Sequence, residues 1–418
     1  MFEKAEFVVK FAQMYQPTKL TLKKYADVLI KFALGGGKGI KRGDVVFLQV
    51  PESARSMLNP LVESVLEVGG HPLVHYTPEG TDRWMSVDRV FLENAAPSQI
   101  KYIPKNYLLG RVKDCDHFVS IISTNNKKAL QGIDSRKIMM RQKAIKFYKD
   151  ARDKKENQGK LTWTLALYGT EAMAREANLS LRAYWNQIIK ACYLDVTDPI
   201  AKWVKITSDI EKYKSKLNKL NIDRLLIRGE DVGLIVKIGK GRQWLGGSGR
   251  NIPSFEIFIS PDWRGTEGWV RFNKPLYRYG NLIEGIELQF KKGRVVKAMA
   301  KKNEKLLREM IKVENADKIG EFSLTDSRFS RIDKFMAETL FDENAGGKFG
   351  NFHIALGSAY KDSYPGNQAR LSKSQWDKLG YNDSAVHTDV ISTTDREVTA
   401  VLASGEKKVI YKSGKFTL

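Results

Sequence analysis

The sequence predicts two domains, an α/β N-terminal domain with a parallel sheet over residues 1–207 and a mixed, β-rich C-terminal domain over 208–418. Three observations support this fold class. A chain of 418 residues exceeds what one hydrophobic core usually holds. Between residues 20 and 130, helical and strand-like apolar patterns alternate, which is typical of a parallel sheet covered by helices. After residue 222, short apolar runs alternate with glycine-rich turns, which indicates a mostly β domain.

The N-terminal elements follow in chain order. Apolar residues at helical spacing predict a helix over 22–30, which ends at the glycine run Gly35 to Gly37. Continuous apolar runs predict strands over 44–50, 72–76, 117–122 and 163–168. Amphipathic or charged segments predict helices over 53–68 and 138–158, another that begins with Thr170 as its N-cap, and a polar bridging helix over 209–220.

In the second half, β-rich runs bounded by turn residues predict strands over 225–227, 234–238, 255–259, 295–298 and 398–402. One helix is predicted at about 302–313.

A net charge of +22 would suit a nucleic-acid-binding protein, because cations neutralise phosphates. However, the basic residues are dispersed over both halves and interleaved with acids, as in the run from Lys301 to Lys305. The sequence also lacks the common nucleic-acid-binding motifs. We therefore expect a lysine-rich solvated surface rather than a nucleic-acid partner.

Cysteine content and hydropathy indicate the cellular compartment of the protein. The two cysteines, Cys115 and Cys192, are too few for a disulfide framework and fit a reducing cytoplasm. No apolar stretch approaches the ~20 residues that span a bilayer. Residues 1–6 carry acids and lack a signal-peptide pattern. We expect a soluble, cytoplasmic protein without a membrane partner.

Histidine is scarce, with five in the chain, and two of these lie near the C-terminus beside acidic residues. His387 and Asp389 occupy alternate positions of a strand-like run, so an imidazole and a carboxylate would share one face. His353 lies among apolar residues, where a buried imidazole needs a partner. From these residues alone, a metal ligand and an ordinary hydrogen-bonded histidine both stay open.

Three carboxylates also stand in apolar surroundings. Glu256 interrupts an apolar strand, Glu321 is flanked by apolar residues, and Glu343 follows an apolar helix expected over 335–341. A solvated carboxylate would explain any one of them. Together with the scarce histidines, however, they indicate one shared charged site that compensates their burial. Read alone, Tyr360 is an ordinary core or surface tyrosine.

Four ordered blocks carry a family resemblance, namely 251–258, 340–344, 353–360 and 382–389. Together they resemble the aminopeptidase T family of thermophilic metallopeptidases, which includes the enzymes called aminopeptidase II and aminopeptidase S. The likeness covers most of the chain and includes the upstream segments 22–29, 163–166, 170–174 and 198–203. The chain departs from the family pattern at 229–234, which carries no ligand, and at 345–352, where a longer loop precedes His353.

The resemblance implies a C-terminal site for two divalent metal ions, with zinc, cobalt or manganese suited to carboxylate and imidazole ligands. The family's ligand positions fall on Glu256, Glu321, Glu343, His353, His387 and Asp389, and its catalytic tyrosine falls on Tyr360. Glu321 is expected to bridge both metals. The resemblance also implies a homodimer of two-domain subunits.

The implied activity is release of N-terminal amino acids from short peptides by attack of a metal-bound hydroxide. Tyr360 would donate a hydrogen bond to the developing oxyanion, and Glu256 or Glu321 would carry the proton to the leaving amine. One alternative is a non-peptidase metal-binding or nucleic-acid-binding protein on the same scaffold. A phosphoesterase or deacylase is disfavoured, because no arginine or lysine phosphate clamp lies within the constellation.

Overall fold

A five-stranded parallel sheet, two large antiparallel sheets and one two-stranded antiparallel sheet organise the described residues. The structure is a computed structural model that describes residues 15–79 and 86–418. The sequence prediction for residues 1–6 lies outside the described residues. The strands are β1 Val45–Pro51, β2 His71–Thr77, β3 His117–Ile122, β4 Thr162–Leu167, β5 Ile222–Gly229, β6 Val232–Lys237, β7 Leu245–Gly246, β8 Asn251–Ile252, β9 Glu256–Ile259, β10 Glu267–Arg271, β11 Leu276–Arg278, β12 Asn281–Ile283, β13 Glu287–Lys291, β14 Arg294–Met299, β15 Ile319–Thr325, β16 Asn351–Gly357, β17 His387–Ser392, β18 Arg396–Leu402, β19 Lys407–Lys412 and β20 Lys415–Phe416.

Helices cover the parallel sheet and join the two halves. They are α1 Lys19–Val28, α2 Leu34–Gly37, α3 Leu58–Val68, α4 Val87–Asn94, α5 Pro97–Lys101, α6 Lys105–Asp114, α7 Ser135–Asn157, α8 Glu171–Glu176, α9 Leu181–Ala191, α10 Pro199–Lys219, α11 Glu304–Lys312, α12 Thr339–Asp342 and α13 Lys373–Leu379. Within the described ranges, no helix is long and apolar enough to cross a membrane.

The N-terminal half confirms the predicted parallel α/β arrangement. Its strands lie in the order β2-β1-β3-β4-β8 and all pair in parallel. One face packs against α1 and α3 through the main core. The other face packs against α6 and α7 through a smaller core around Phe47 and Phe118. Apolar side chains therefore point to both faces, which explains the continuous apolar runs of these strands.

The C-terminal half is β-rich, as predicted. An eight-stranded sheet has the order β14-β13-β10-β6-β5-β18-β19-β20, and a five-stranded antiparallel sheet has the order β17-β16-β15-β9-β7. The short strand β8 belongs to this half of the sequence but pairs with β4 of the parallel sheet. Since β9 follows β8 almost at once, the parallel sheet and the five-stranded sheet are held next to each other.

Two local expectations are corrected by the structure. The bridging helix α10 begins at Pro199 rather than at 209, because Asp198 caps it by accepting from the Ala201 amide and proline suits the first helical position. The helices expected in the second half, at about 302–313 and over 335–341, omit α13, which lies over Lys373–Leu379. Helix α10 runs through the expected domain boundary at 207/208, and that boundary stays a prediction.

Candidate metal centre

Three strands of the five-stranded sheet place acidic and imidazole side chains on one face. β9 pairs Glu256 with Thr325 of β15, and β15 pairs Ser323 with His353 of β16. Because alternate residues of a strand share a face, Glu321 points to the same side as Ser323. Residues far apart in sequence are therefore neighbours on this sheet.

β17 extends the same face with a second histidine and an aspartate. His387 and Asp389 occupy alternate positions of this strand, as the sequence predicts. They pair with Gly357 and Ala355, which alternate with His353 along β16. Glycine and alanine add little side-chain bulk, so the polar groups on either side can approach each other.

Glu321 lies between two groups of candidate metal ligands. His353 Nε2 lies 3.2 Å from Glu321 Oε1 and 3.3 Å from Glu256 Oε2. His387 Nε2 lies 3.4 Å from Glu321 Oε2 and 3.3 Å from Asp389 Oδ1. The first group consists of Glu256, Glu321 and His353, and the second of Glu321, His387 and Asp389. In each group, one ligand atom of every residue lies within 4.8 Å of the others. Glu321 thus presents one carboxylate oxygen to each histidine.

Glu343 joins these residues from outside the sheet. It caps the C-terminus of the short helix α12, and the longer helix expected over 335–341 does not form. Its carboxylate forms a third group with His353 and Asp389, again within 4.8 Å. The longer loop over 345–352 therefore does not keep Glu343 away from His353. All six predicted ligand positions lie together.

Hydrogen bonds orient both imidazoles so that Nε2 faces the carboxylates. His387 Nδ1 lies 2.7 Å from the carbonyl oxygen of Ser358, and His353 Nδ1 lies 3.3 Å from Asn351 Oδ1. Metal-ligating histidines usually donate their second ring N–H to an oxygen in this way. No role was predicted for Asn351 or Ser358. The only available signal was that Asn351 alternates with His353 in one strand.

Two of the carboxylates are oriented by neighbouring side chains. Ser323 Oγ donates to Glu256 Oε2 at 2.8 Å, and Asn251 Nδ2 donates to Glu343 Oε1 at 2.9 Å. Asn251 belongs to one of the blocks that carry the family resemblance, but no role was predicted for it. Ser323 was missed because its signal exists only in the strand register.

Burial raises the pKa of two of the acids. Glu256, Glu321 and Glu343 are at most 6 % exposed. Burial, followed by the negative charges of Asp389 and Glu256, holds the pKa of Glu343 well above its ordinary value. Burial likewise raises the pKa of Glu256. A buried carboxylate of this kind is stabilised by a cation close to it.

The pKa values of both histidines are also raised, but by neighbouring carboxylates and against the effect of burial. Burial disfavours the imidazolium, but hydrogen bonds to Glu256 and Glu321 outweigh it and hold the pKa of His353 well above its usual value. Against the same burial effect, Asp389 and Glu321 raise the pKa of His387 to about 10. Despite burial, His387 lowers the pKa of Asp389 to about 2. Burial would also raise the pKa of Glu321, but its hydrogen bonds to both histidines lower it.

The donor chemistry fits divalent metal ions. The clustered groups offer only carboxylate oxygens and imidazole nitrogens, the set that suits zinc, manganese or cobalt. The Nε2 atoms point into the cluster while Nδ1 is already engaged, and buried carboxyl groups still need positive charge. Cys115 and Cys192 are buried in the N-terminal half, away from this cluster.

Tyr360 lies beside the cluster. Its backbone amide donates to Ser260 Oγ at 2.8 Å, and its ring lies edge-on to His387 with 5.0 Å between ring centroids. The guanidinium of Arg250 lies 5.4 Å from the centre of the Tyr360 ring. Burial and the nearby carboxylates hold the pKa of Tyr360 well above its ordinary value, so the phenol keeps its proton.

A cavity of ≈ 480 Å³ opens onto the cluster and Tyr360. The charge of the helix over 138–158 predicts that it is exposed, but the C-terminal part of α7 lines this cavity. Residues not predicted for the site also line it, namely Lys149, Arg152, Asp153, Glu156, Trp163, Arg250, Arg278, Glu338 and Asp362. They were missed because the cavity lies between the two halves, which no local periodicity reveals.

The chain is similar in sequence to known proteins. The sequence model of the family described as thermophilic metalloprotease (M29) matches residues 18–416. Aminopeptidase AmpS of Bacillus subtilis is 26 % identical over 94 % of this chain and 98 % of its own length. Aminopeptidase 2 of Geobacillus stearothermophilus is 28 % identical over 94 % and 97 %. Aminopeptidase T of Thermus thermophilus is 30 % identical over 71 % and 76 %.

The fold is also similar to a solved structure. Wild-type AmpT from Thermus thermophilus aligns with a TM-score of 0.78 at 24 % identity, covering 95 % of this chain and 99 % of that chain. The likeness therefore extends over both the parallel sheet and the β-rich half.

Proposed function

Because the chain belongs to the thermophilic metalloprotease (M29) family, we propose that this metallo-aminopeptidase holds two divalent metal ions and releases N-terminal amino acids from short peptides. The observation that carries the two-metal proposal is the position of Glu321. One of its oxygens faces His353 and the other faces His387, each within a separate group of three ligands. One metal in each group would share this carboxylate.

The charge of the cluster supports two metals rather than one. Its members are four carboxylates and two imidazoles (Glu256, Glu321, Glu343, Asp389, His353 and His387). With neutral imidazoles, four negative charges would balance two divalent cations. With a single divalent cation, the two remaining negative charges would have to be compensated by protons on the carboxyl groups or imidazoles, and a protonated group does not serve as a metal ligand.

Divalent metals at these residues would supply an activated water as nucleophile and a Lewis acid for the scissile carbonyl. Tyr360 keeps its proton and would donate a hydrogen bond to the carbonyl oxygen as negative charge develops there. Glu256 makes its contacts with Ser323 and His353 through Oε2. Within the described part of the chain, Glu256 Oε1 has no hydrogen bond or ion pair. This free oxygen would accept the proton of the attacking water and pass it to the leaving amine. Glu321 has both oxygens engaged and would act as a ligand only.

The identity of the metals, the oligomeric state and the compartment stay predictions. Zinc, cobalt and manganese all suit the ligands, and elemental analysis of the purified protein distinguishes them. The expected homodimer is tested by light scattering of the eluting protein, where a monomer mass would contradict it. A cytoplasmic location is tested by fractionation of the source cells.

The proposed activity is tested with a leucine-terminated tripeptide and its N-acetylated counterpart. Release of free leucine is expected from the first peptide only, because the N-acetyl group removes the free α-amine. A chelator should abolish this release, and added zinc, cobalt or manganese should restore it. No release with any of these metals, together with tight, salt-sensitive RNA binding, would contradict the proposal and favour a binding protein on this scaffold.

A further inference from the structure

A row of aromatic rings crosses the face of the parallel sheet beneath α6 and α7. Phe47 of β1, Phe118 of β3 and Trp163 of β4 are register neighbours. A guanidinium lies over each ring: Arg111 at 5.2 Å from the Phe47 centroid, Arg152 at 4.9 Å from Phe118, and Arg250 at 5.6 Å from Trp163. Stacked guanidinium groups are held in a defined plane while their N–H edges stay available.

One end of this row reaches the candidate active site. Arg250 contacts the rings of both Trp163 and Tyr360. Arg152 lies over the ring of Phe118 on β3, which is the strand next to that of Trp163. Neighbouring strands are about 4.8 Å apart. Arg152 lines the cavity that contains the metal ligands, whereas Arg111 does not. Arg152 is therefore the guanidinium placed one strand further from Tyr360 on the cavity wall.

Most other charged residues of the cavity wall are already paired. Outside the metal ligands, the contacts are Lys149 with Asp153 at 2.6 Å, Arg250 with Glu156 at 2.7 Å and with Asp362 at 2.6 Å, and Glu338 with Lys127. Arg278 donates to the carbonyl oxygen of His387 at 2.8 Å, beside the metal cluster. Lys361 extends over the ring of Trp376, which lines a separate cavity.

Arg152 differs from these residues. Among residues 15–79 and 86–418, no side chain or carbonyl group forms an ion pair or hydrogen bond with any nitrogen of its guanidinium, and its Nε is buried without a partner. Arg278 Nε is also buried without a partner, but Arg278 donates through its Nη2 to the His387 carbonyl oxygen. Stacking on Phe118 and Tyr148 holds the group in place. A buried N–H without an acceptor is unfavourable, and a carboxylate satisfies a guanidinium through two parallel hydrogen bonds.

We propose that Arg152 binds the free C-terminal carboxylate of short peptide substrates, a role that rests on the aminopeptidase function proposed above. An unblocked peptide carries a negative charge at the end opposite to the cleaved one, and an extended residue spans about 3.5 Å. A tripeptide with its N-terminus at the metal cluster can therefore extend along the cavity wall, which Arg152 also lines. The cavity thereby favours short peptides over blocked or long ones.

The test compares three substrates: a tripeptide with a free carboxylate, the same tripeptide as its C-terminal amide, and an aminoacyl-p-nitroanilide. Wild-type protein is expected to prefer the free acid over the amide by about 10–100-fold in kcat/KM, the usual effect of a charged hydrogen bond. Arg152→Gln should reduce this preference to about 1 and leave p-nitroanilide hydrolysis unchanged. Arg152→Lys should restore part of the preference.

Arg111→Gln is the matched control, because Arg111 stacks on the same row of rings but lies outside the cavity wall. It should keep the wild-type preference, and thermal melting should show both glutamine variants folded. A wild-type preference retained in Arg152→Gln, or an equal loss on all three substrates, would overturn the assignment. Wild-type protein inactive on every substrate would instead overturn the proposed function, and this inference with it.

Discussion

Glu321 Oε1 lies 3.2 Å from Nε2 of His353, although the two residues come from different strands of the five-stranded sheet. The second oxygen of Glu321 faces His387 in the same way. A single carboxylate therefore joins two groups of potential ligands.

Removing the charge of Glu321 should disable both groups. Glu321→Gln keeps the shape of the side chain but replaces one carboxylate oxygen by a donor, which cannot serve two metals. We expect loss of bound metal and a fall in kcat/KM of at least about 10³-fold, because bound metal lowers the pKa of water and so generates the hydroxide nucleophile. Glu287→Gln, which affects an ion pair with the exposed Arg271, should change neither. Unchanged metal content with full activity in Glu321→Gln would contradict the two-metal assignment.

Tyr360→Phe should lower kcat with little change in KM. The phenol lies at the cavity beside His387, and loss of one oxyanion donor typically costs about 10²–10³-fold in kcat. Steady-state kinetics on an aminoacyl-p-nitroanilide measures both constants. Tyr364→Phe is the control, because Tyr364 packs on Trp376 away from the cluster. A wild-type kcat in Tyr360→Phe would remove this residue from the mechanism.

Asn251→Ala should weaken metal binding rather than the fold. Its side chain donates to Glu343 Oε1, and loss of such a supporting hydrogen bond typically lowers metal affinity about 10–100-fold. Competition with a fluorescent chelator measures the affinity. Asn94→Ala removes an exposed hydrogen bond to the Val90 carbonyl and should have no effect. Equal metal affinity in both variants would show that Glu343 does not depend on Asn251.

Metal affinity and metal-free stability should change with pH in opposite directions. The pKa of His387 is raised from 6.5 to about 10, so the ion pair with Asp389 stabilises the metal-free protein fully below pH 6.5. This stabilisation is lost as pH rises through about 10. The raised pKa values of Glu256 and Glu343 act in the same direction, because ionising these buried acids is unfavourable.

The melting temperature of chelated protein should therefore fall between pH 6.5 and 10, while metal affinity rises. Metal ligation requires neutral imidazoles, so binding at pH 7.5 should release protons. Calorimetry in buffers of different ionisation enthalpy measures this release. Metal binding without proton release would contradict the placement of the imidazoles against the carboxylates.

Local sequence patterns predict only a small part of the site. The alternation of His387 and Asp389 predicts a shared face, because side chains alternate along any strand. The apolar runs likewise predict the parallel strands. By contrast, Glu256, Glu321 and His353 meet only through the register of β9, β15 and β16, which depends on contacts between distant segments. In the sequence, the apolar surroundings of the acids and the scarcity of histidine indicate one shared charged site, and the family resemblance alone identifies these residues as metal ligands.

The cavity wall could not be predicted for a related reason. In α7, lysine and arginine dominate, and such helices are usually solvated on most of their surface. Whether Arg152 faces water or a cavity depends on how the C-terminal half packs against this helix. The start of α10 at Pro199 could have been found, since Asp198 and Pro199 form a common N-terminal signal.

The central claim is that two metals share Glu321, and anomalous diffraction from crystals of the metal-loaded protein tests it most directly. Data collected at the absorption edge of the bound metal should show two anomalous peaks per chain, both contacting Glu321. One of these peaks should also contact His353, and the other His387. A single peak per chain, or two peaks with no common ligand at Glu321, would contradict the account.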